Sequence, residues 1–280
     1  MIYRYIVPNP VLQEFVRDYL IAHFTFDKDQ DIPFKPYSPK PEQTITFLPK
    51  GNLTINNPLT GETRISPVTS ICGQQVSRYN FYLTSEYLML RVHFNPGALF
   101  RLLHIPLSEF SDCWFDAESV IGREISDVNE RLANCLNYAQ MIAIVEEYLI
   151  NKIRKVKAGT LPLDQVATSL LINPTRFSLD WLAVQSCLCQ RQFNRKFIER
   201  MGIGPKLYSR IVRFHKPINT KKRILRKIGC RLRFYLAMLI TSIWLKILKN
   251  LRMLLLTYGS NRIINLQKKF CSSSRNIFLF

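Results

Sequence analysis

Residues 178–214, SLDWLAVQSCLCQRQFNRKFIERMGIGPKLYSRIVRF, decide how the rest of the chain is read. Leu179, Leu182, Ala183 and Ser186 fall at i, i+3, i+4 and i+7, which is one face of a short helix. Ser178 stands where an N-cap belongs, and Asp180 lies in the first turn, near the positive end of the helix dipole. Cys187 and Leu188 are small and apolar at the expected turn. A second helix begins near Gln190, with Phe193, Phe197 and Met201 recurring every four residues as its buried stripe. Gly202 suits the left-handed position after a helix, and Pro205 opens a third helix. The free face of the second helix carries Arg191, Asn194 and Arg195, and Gln190 sits at its start.

A small buried helix supporting a second helix with an Arg/Asn/Gln face is the physical recipe for a helix-turn-helix. Such a helix fits the major groove of DNA, where Arg bonds bidentately to guanine and Asn or Gln to adenine. The same pattern also fits an ordinary helical hairpin with a solvated polar face. The segment resembles the first helix-turn-helix of AraC-type bacterial transcription regulators over roughly forty residues. The residues that carry the resemblance are Leu179-Asp180-x-Leu182-Ala183, Arg191-Gln192-Phe193-x-Arg195-x-Phe197 and Gly202-Ile203-x-Pro205-x-x-Tyr208. The resemblance implies double-stranded DNA as partner, contacted by Gln190, Arg191, Gln192, Asn194 and Arg195. Cys189 is a departure, because the family usually caps its recognition helix with Ser. A thiol caps poorly, at a cost of about 1 kcal/mol.

Upstream, the pattern is β-like from Gln43 to about His93. The runs at Thr44-Ile45-Thr46-Phe47-Leu48, Leu53-Thr54-Ile55, Thr69-Ser70-Ile71, Phe81-Tyr82-Leu83 and Leu88 to Phe94 are separated by turn residues. They predict a small antiparallel barrel or sandwich. Before them, residues 1–30 predict a short strand, a Pro-x-Pro turn and a helix with Leu12, Phe15, Val16 and Tyr19 on one face. After them, helical patterns recur at residues 107–110, 125–136 and 141–153. Gly73-Gln74, Phe94-x-Pro96-Gly97-Ala98 and the run Leu102, Leu103, Ile105, Pro106 resemble the sensor-like domain that precedes the DNA-binding half in one branch of the AraC group. The resemblance implies an unidentified small-molecule effector, and a ligand-sensing or interaction protein without DNA binding is the alternative function. Residues 154–160, RKVKAGT, form a polar linker, and residues 161–171 predict a helix packed behind the helix-turn-helix.

The fold class expected is therefore α+β: a β-rich sensor-like domain over residues 1–156, an all-α helix-turn-helix domain over 161–216, and a basic tail over 217–280. His23, His93, His104 and His215 are too far apart in sequence to define a site. No Ser/His/Asp or Cys/His grouping and no Gly-rich phosphate loop occurs, so no enzyme is expected and no cofactor is called for. Cys187-x-Cys189 lacks a second pair or a His at ligand spacing, and no metal site is expected there. The seven cysteines are scattered and odd in number, and MIYRY at the start lacks an apolar signal core. Reduced thiols in a cytoplasm are the expectation.

The net charge of +19 is confined to one end. Residues 200–280 hold 19 Lys and Arg and no Asp or Glu, leaving 20 basic and 20 acidic residues in 1–199. A selected domain usually mixes both signs. The family's second helix-turn-helix is missing from the tail as written. Reading the third base of each codon with the first two of the next permits DWL, WLSI, DYQHLVKDFKE and FTNATPNVW, a string that resembles that missing unit. The tail is accordingly read as the product of a reading-frame slip near residues 215–217. A basic membrane-surface helix is the alternative. Residues 234–245 are uncharged but too short to span a bilayer, so a membrane partner is not expected.

Overall fold

A computed structural model describes residues 1–27, 32, 34–157, 159–175 and 177–215. The tail from residue 217, with the expected frame slip at its start, lies outside the described residues. Ten strands occur among them: β1 (Ile2–Ile6), β2 (Val16–Thr25), β3 (Lys35–Tyr37), β4 (Thr44–Lys50), β5 (Leu53–Asn56), β6 (Thr63–Ile65), β7 (Thr69–Cys72), β8 (Tyr79–Leu83), β9 (Glu86–Phe94) and β10 (Phe115–Asp116). They form a six-stranded sheet, β1-β2-β9-β4-β7-β10, and a four-stranded sheet, β3-β8-β5-β6. Every pairing is antiparallel.

The large sheet is covered on both faces, and alternation along its central strands sorts side chains between two cores. From β2, Tyr19 and Ile21 enter one core while Leu20, Ala22 and Phe24 enter the other. From β9, Leu88, Leu90, Val92 and Phe94 join the first, and Tyr87 and Met89 the second. The second core fills the space between the sheets with Phe24, Tyr79, Phe81, Tyr87 and Trp114.

The first core is closed by helices α1 (Ala98–Leu103), α2 (Ala117–Ile121), α3 (Glu124–Ala133) and α4 (Tyr138–Ile153). In α3, Ile125, Val128 and Leu132 are the buried stripe, with Glu124 and Asp127 in the first turn and Arg131 in the last. In α4, Asn137 caps the start by accepting from the Gln140 N–H, and Met141, Val145, Tyr148 and Leu149 point inward.

The helix expected around residues 12–19 is not formed. A 3-10 turn, Pro10–Leu12, leads into β2 instead. Leu12, Phe15, Val16 and Tyr19 are all buried in one core, as the helical reading required. A central strand buried on both faces, however, shows no polar alternation to distinguish it from a helix.

A third core gathers α5 (Pro162–Ile172), α6 (Leu179–Gln185), α7 (Gln190–Met201) and α8, which spans residues 205–215. Its centre is Phe193, Phe197, Met201 and Tyr208, with Leu163, Ala167, Leu170 and Leu182 around them. Fully burying each phenylalanine contributes roughly 1.5–3 kcal/mol. The linker stretch before α5 is fastened. Thr160 Oγ1 donates to Glu14 Oε1 at 2.7 Å and accepts from Arg101 Nη1 at 3.0 Å.

Candidate nucleic-acid interface

The turn between α6 and α7 is built by backbone and cap bonds. Ser178 Oγ accepts from the Trp181 N–H, starting α6. At its end, the Ser186 N–H donates to Leu182 and Ala183, and the Leu188 N–H to Ala183. Cys187 adopts φ +55°, the left-handed region, where a side chain costs roughly 1–2 kcal/mol. Cys189 occupies the N-cap of α7 without a side-chain cap bond. Gln192 Oε1 instead accepts from the Cys189 N–H at 3.4 Å.

Beyond this turn, α7 is two-sided. Phe193, Phe197, Arg200 and Met201 are buried. Gln190, Arg191, Gln192, Asn194 and Arg195 are all exposed. The structure thus places the five predicted residues on the solvent side of the first turn and a half of α7. Two are engaged locally: Gln192 in the cap, and Gln190, whose Nε2 donates to Asp180 Oδ1 at 2.9 Å. Among the described residues, Arg191, Asn194 and Arg195 make no internal hydrogen bond or ion pair. On a helix, positions 191, 194 and 195 are surface neighbours. Lys206, Arg210 and Arg213 of α8 are also exposed. Residues 178–215 hold seven Lys and Arg against two acidic residues, so the surface offers a positive field as well as hydrogen-bond donors.

Arg200 was not singled out by sequence. It is only 6% exposed, and Asp164 of α5 is 2% exposed. The guanidinium grips the carboxylate with two parallel bonds, Nε to Oδ1 at 2.7 Å and Nη2 to Oδ2 at 2.6 Å. It also lies 4.7 Å from the ring centre of Phe100 in α1. Asp164 Oδ2 accepts the Leu161 N–H as well. Around this pair, the far end of α7 is capped by the sheet-bearing part of the chain. Gln43 Nε2 donates to the Arg200 carbonyl at 3.2 Å, and Ser111 Oγ to the Gly202 carbonyl at 2.9 Å. Gly202 adopts φ +86°, and a Cβ there would stand 2.6 Å from Ser111 Oγ. The sequence signal for Arg200 was its place seven residues after Phe193, on the buried stripe. Its partner, 36 residues earlier, left no trace in spacing.

A second group of charges gathers around the buried His93 of β9. His93 is 1% exposed and its Nδ1 lies 2.6 Å from Asp18 Oδ1. Its Nε2 stands 3.2 Å from Glu42 Oε2, outside hydrogen-bond alignment. Lys40 Nζ lies 3.5 Å from Glu42 Oε1, and the Tyr37 hydroxyl donates to Glu42 Oε2. Burial alone would raise the Glu42 carboxyl, but Lys40 and then His93 outweigh it and hold it well below the usual carboxylate range. Asp18 is likewise held low: burial is opposed by His93 and Arg17. The four histidines do not converge, and no group of three or more His, Cys, Asp and Glu suited to a metal ion occurs among the described residues. No helix among the described residues is long and apolar enough to cross a membrane.

The family model for a domain of unknown function, DUF6597, matches residues 4–115. No curated protein matches the chain. Among solved structures, the chain is similar to a single-residue variant of apo ToxT from Vibrio cholerae. That match has 12% identity and a TM-score of 0.42, over 72% of this chain and 82% of that one. Wild-type ToxT bound to an unsaturated fatty acid matches at 12% identity and TM-score 0.38, over 76% and 83%. An iron(II) form of HppE matches at 14% identity and TM-score 0.25, over 33% and 48%. Likenesses of this depth assign the chain neither an activity nor a ligand.

Proposed function

We propose that the protein is a transcription regulator of the AraC type, acting without catalysis and binding duplex DNA through α6 and α7. The observation that carries the proposal is the division of α7. Phe193, Phe197 and Met201 anchor one side in the core, while Arg191, Asn194 and Arg195 stand exposed without an internal partner among the described residues. The Asn and Arg side chains suit base edges in the major groove, and both arginines also suit phosphates. The sheet-bearing part is the sensor-like portion, and its effector is a small molecule.

On the same reading, residues from 217 onward derive from a slipped frame and the second helix-turn-helix is lost. One module buries only about 600–1,000 Å² on DNA. Binding is then weak and carried mainly by salt-dependent phosphate contacts. Titration against a selected operator and a scrambled duplex at two salt concentrations tests the proposal. Binding that weakens steeply with salt supports it, and no binding at low salt overturns it. Sequence-selective nanomolar binding would instead contradict the slipped frame alone. Sequencing the coding DNA around codon 216 checks the slip directly, since stop codons throughout the shifted frame would exclude it.

A further inference from the structure

The turn that aims α7 holds two thiols where backbone chemistry favours other residues. Position 187 has φ +55°, a conformation that suits Gly or Asn. Position 189 is an N-cap, which suits Ser, Thr, Asp or Asn, and its thiol makes no cap bond. Local rules broken twice within three residues, by the same side chain, point to use of that side chain. The other described cysteines differ. Cys72 is buried, and burial pushes its thiol up to about 12. Cys135 Sγ donates to the Arg131 carbonyl, and burial raises its thiol too. Cys113 is half-buried. Cys187 and Cys189 are exposed, with Leu188 partly buried between them.

We propose that Cys187 and Cys189 form a peroxide-sensitive dithiol that closes to a disulfide and disturbs the start of α7. Two peptide units separate the Cα atoms, which therefore lie within about 7 Å, at the reach of a disulfide. The thiolate of one cysteine attacks the O–O bond of a hydroperoxide. The peroxide is reduced, an alcohol or water leaves, and the attacking sulfur becomes a sulfenic acid. The second thiol then attacks that sulfur, the S–S bond forms and hydroxide leaves as water, taking up the thiol proton. Two thiols and one peroxide yield one disulfide. Closing so small a ring resets the dihedrals from 187 to 189. That strains the Leu188 N–H to Ala183 bond and the Cys189 N–H to Gln192 Oε1 bond, which fix the entry to α7.

The effect on DNA rests on the DNA-binding proposal; the thiol chemistry does not. The test uses the full chain treated with hydrogen peroxide, then alkylated in denaturant and digested with trypsin. Both thiols fall in one peptide, residues 177–191. The expected product is that peptide unalkylated and lighter by about 2 Da, regenerated by dithiothreitol. Hydrogen exchange at Leu188, Cys189 and Phe193, whose N–H groups bond Ala183, Gln192 and Cys189, is expected to quicken at least tenfold on oxidation. Cys187→Ser and Cys189→Ala each abolish both changes while keeping the reduced-state exchange pattern, since neither adds a capping oxygen at position 189. Two alkylated thiols after oxidation, a sulfinic acid on one cysteine, or a disulfide with unchanged exchange would each overturn the proposal. A chain that forms the disulfide and changes exchange but never binds DNA would overturn the regulator reading and leave the switch standing.

Discussion

Arg200 at the end of α7 and Asp164 in the first turn of α5 meet as a buried bidentate pair, with both bonds at or below 2.7 Å. The pair sits between the helical core and Phe100 of α1, so it joins the helix proposed for DNA to the sheet-bearing part. Replacing either partner alone leaves a charge buried without its counter-ion. Arg200→Met and Asp164→Leu are each expected to destabilise folding by about 3–5 kcal/mol. The double variant, with both charges removed and the volume kept, is expected to recover much of that loss. Chemical denaturation of the four proteins checks this. Additive losses in the double variant would show that the two groups act independently.

The exposed side of α7 predicts the opposite behaviour. Arg191→Ala, Asn194→Ala and Arg195→Ala touch no buried group and are expected to shift stability by no more than about 0.5 kcal/mol. On DNA, a residue that reads a base is expected to cost about 1–3 kcal/mol and to relax selectivity at one position. A residue that holds phosphate weakens all sequences alike and lowers the salt slope by about 1. Binding titrations at several salt concentrations, beside thermal melts, separate the two roles. If all three variants bind as well as the parent, α7 is not the contact surface.

Acid stability follows from the part-buried carboxylates around His93. Glu42 and Asp18 are held below their ordinary values of 4.5 and 3.8. Depressed carboxyls bind fewer protons in the folded than in the unfolded chain, so their stabilisation is present above those ordinary values. It is lost as pH falls through the lower folded values. The melting temperature is therefore expected to fall steadily below about pH 4.5. In Glu42→Gln, whose side chain does not ionise, that acid limb is expected to flatten while the neutral-pH stability drops. An unchanged acid limb would mean that Glu42 is not held low.

Part of this fold is written in local sequence and part is not. Phe193, Phe197, Met201 and Gly202 were legible because local periodicity and cap chemistry place them. So were β4, β5, β7, β8 and β9, whose apolar runs are bracketed by turn residues. β2 was misread because Leu12, Phe15, Val16 and Tyr19 match a helical spacing, and both faces of the strand are apolar. The Arg200–Asp164 pair and the His93 group were invisible for another reason. Each joins residues far apart in sequence, and only the folded sheet and helices bring their charges together.

Gly97 offers the sharpest test of that long-range packing. It has φ +78°, and a Cβ added there would stand 2.0 Å from Asp164 Oδ1. The carboxylate is held by Arg200 on one side and the Leu161 N–H on the other, so it has no room to yield. Gly61 is the natural control: its φ is +76°, yet nothing lies within 4 Å of its added Cβ. Gly61→Ala pays only the left-handed strain, roughly 1–2 kcal/mol. Gly97→Ala carries the same strain and also displaces Asp164, so its loss is expected to approach that of breaking the ion pair, about 3–5 kcal/mol in addition. In an Asp164→Leu/Arg200→Met background the extra loss should shrink, because no buried ion pair remains to be broken. Equal losses for the two glycine variants in the parent chain would show that α1 does not press on Asp164, and the junction between α1, α5 and α7 would have to be redrawn.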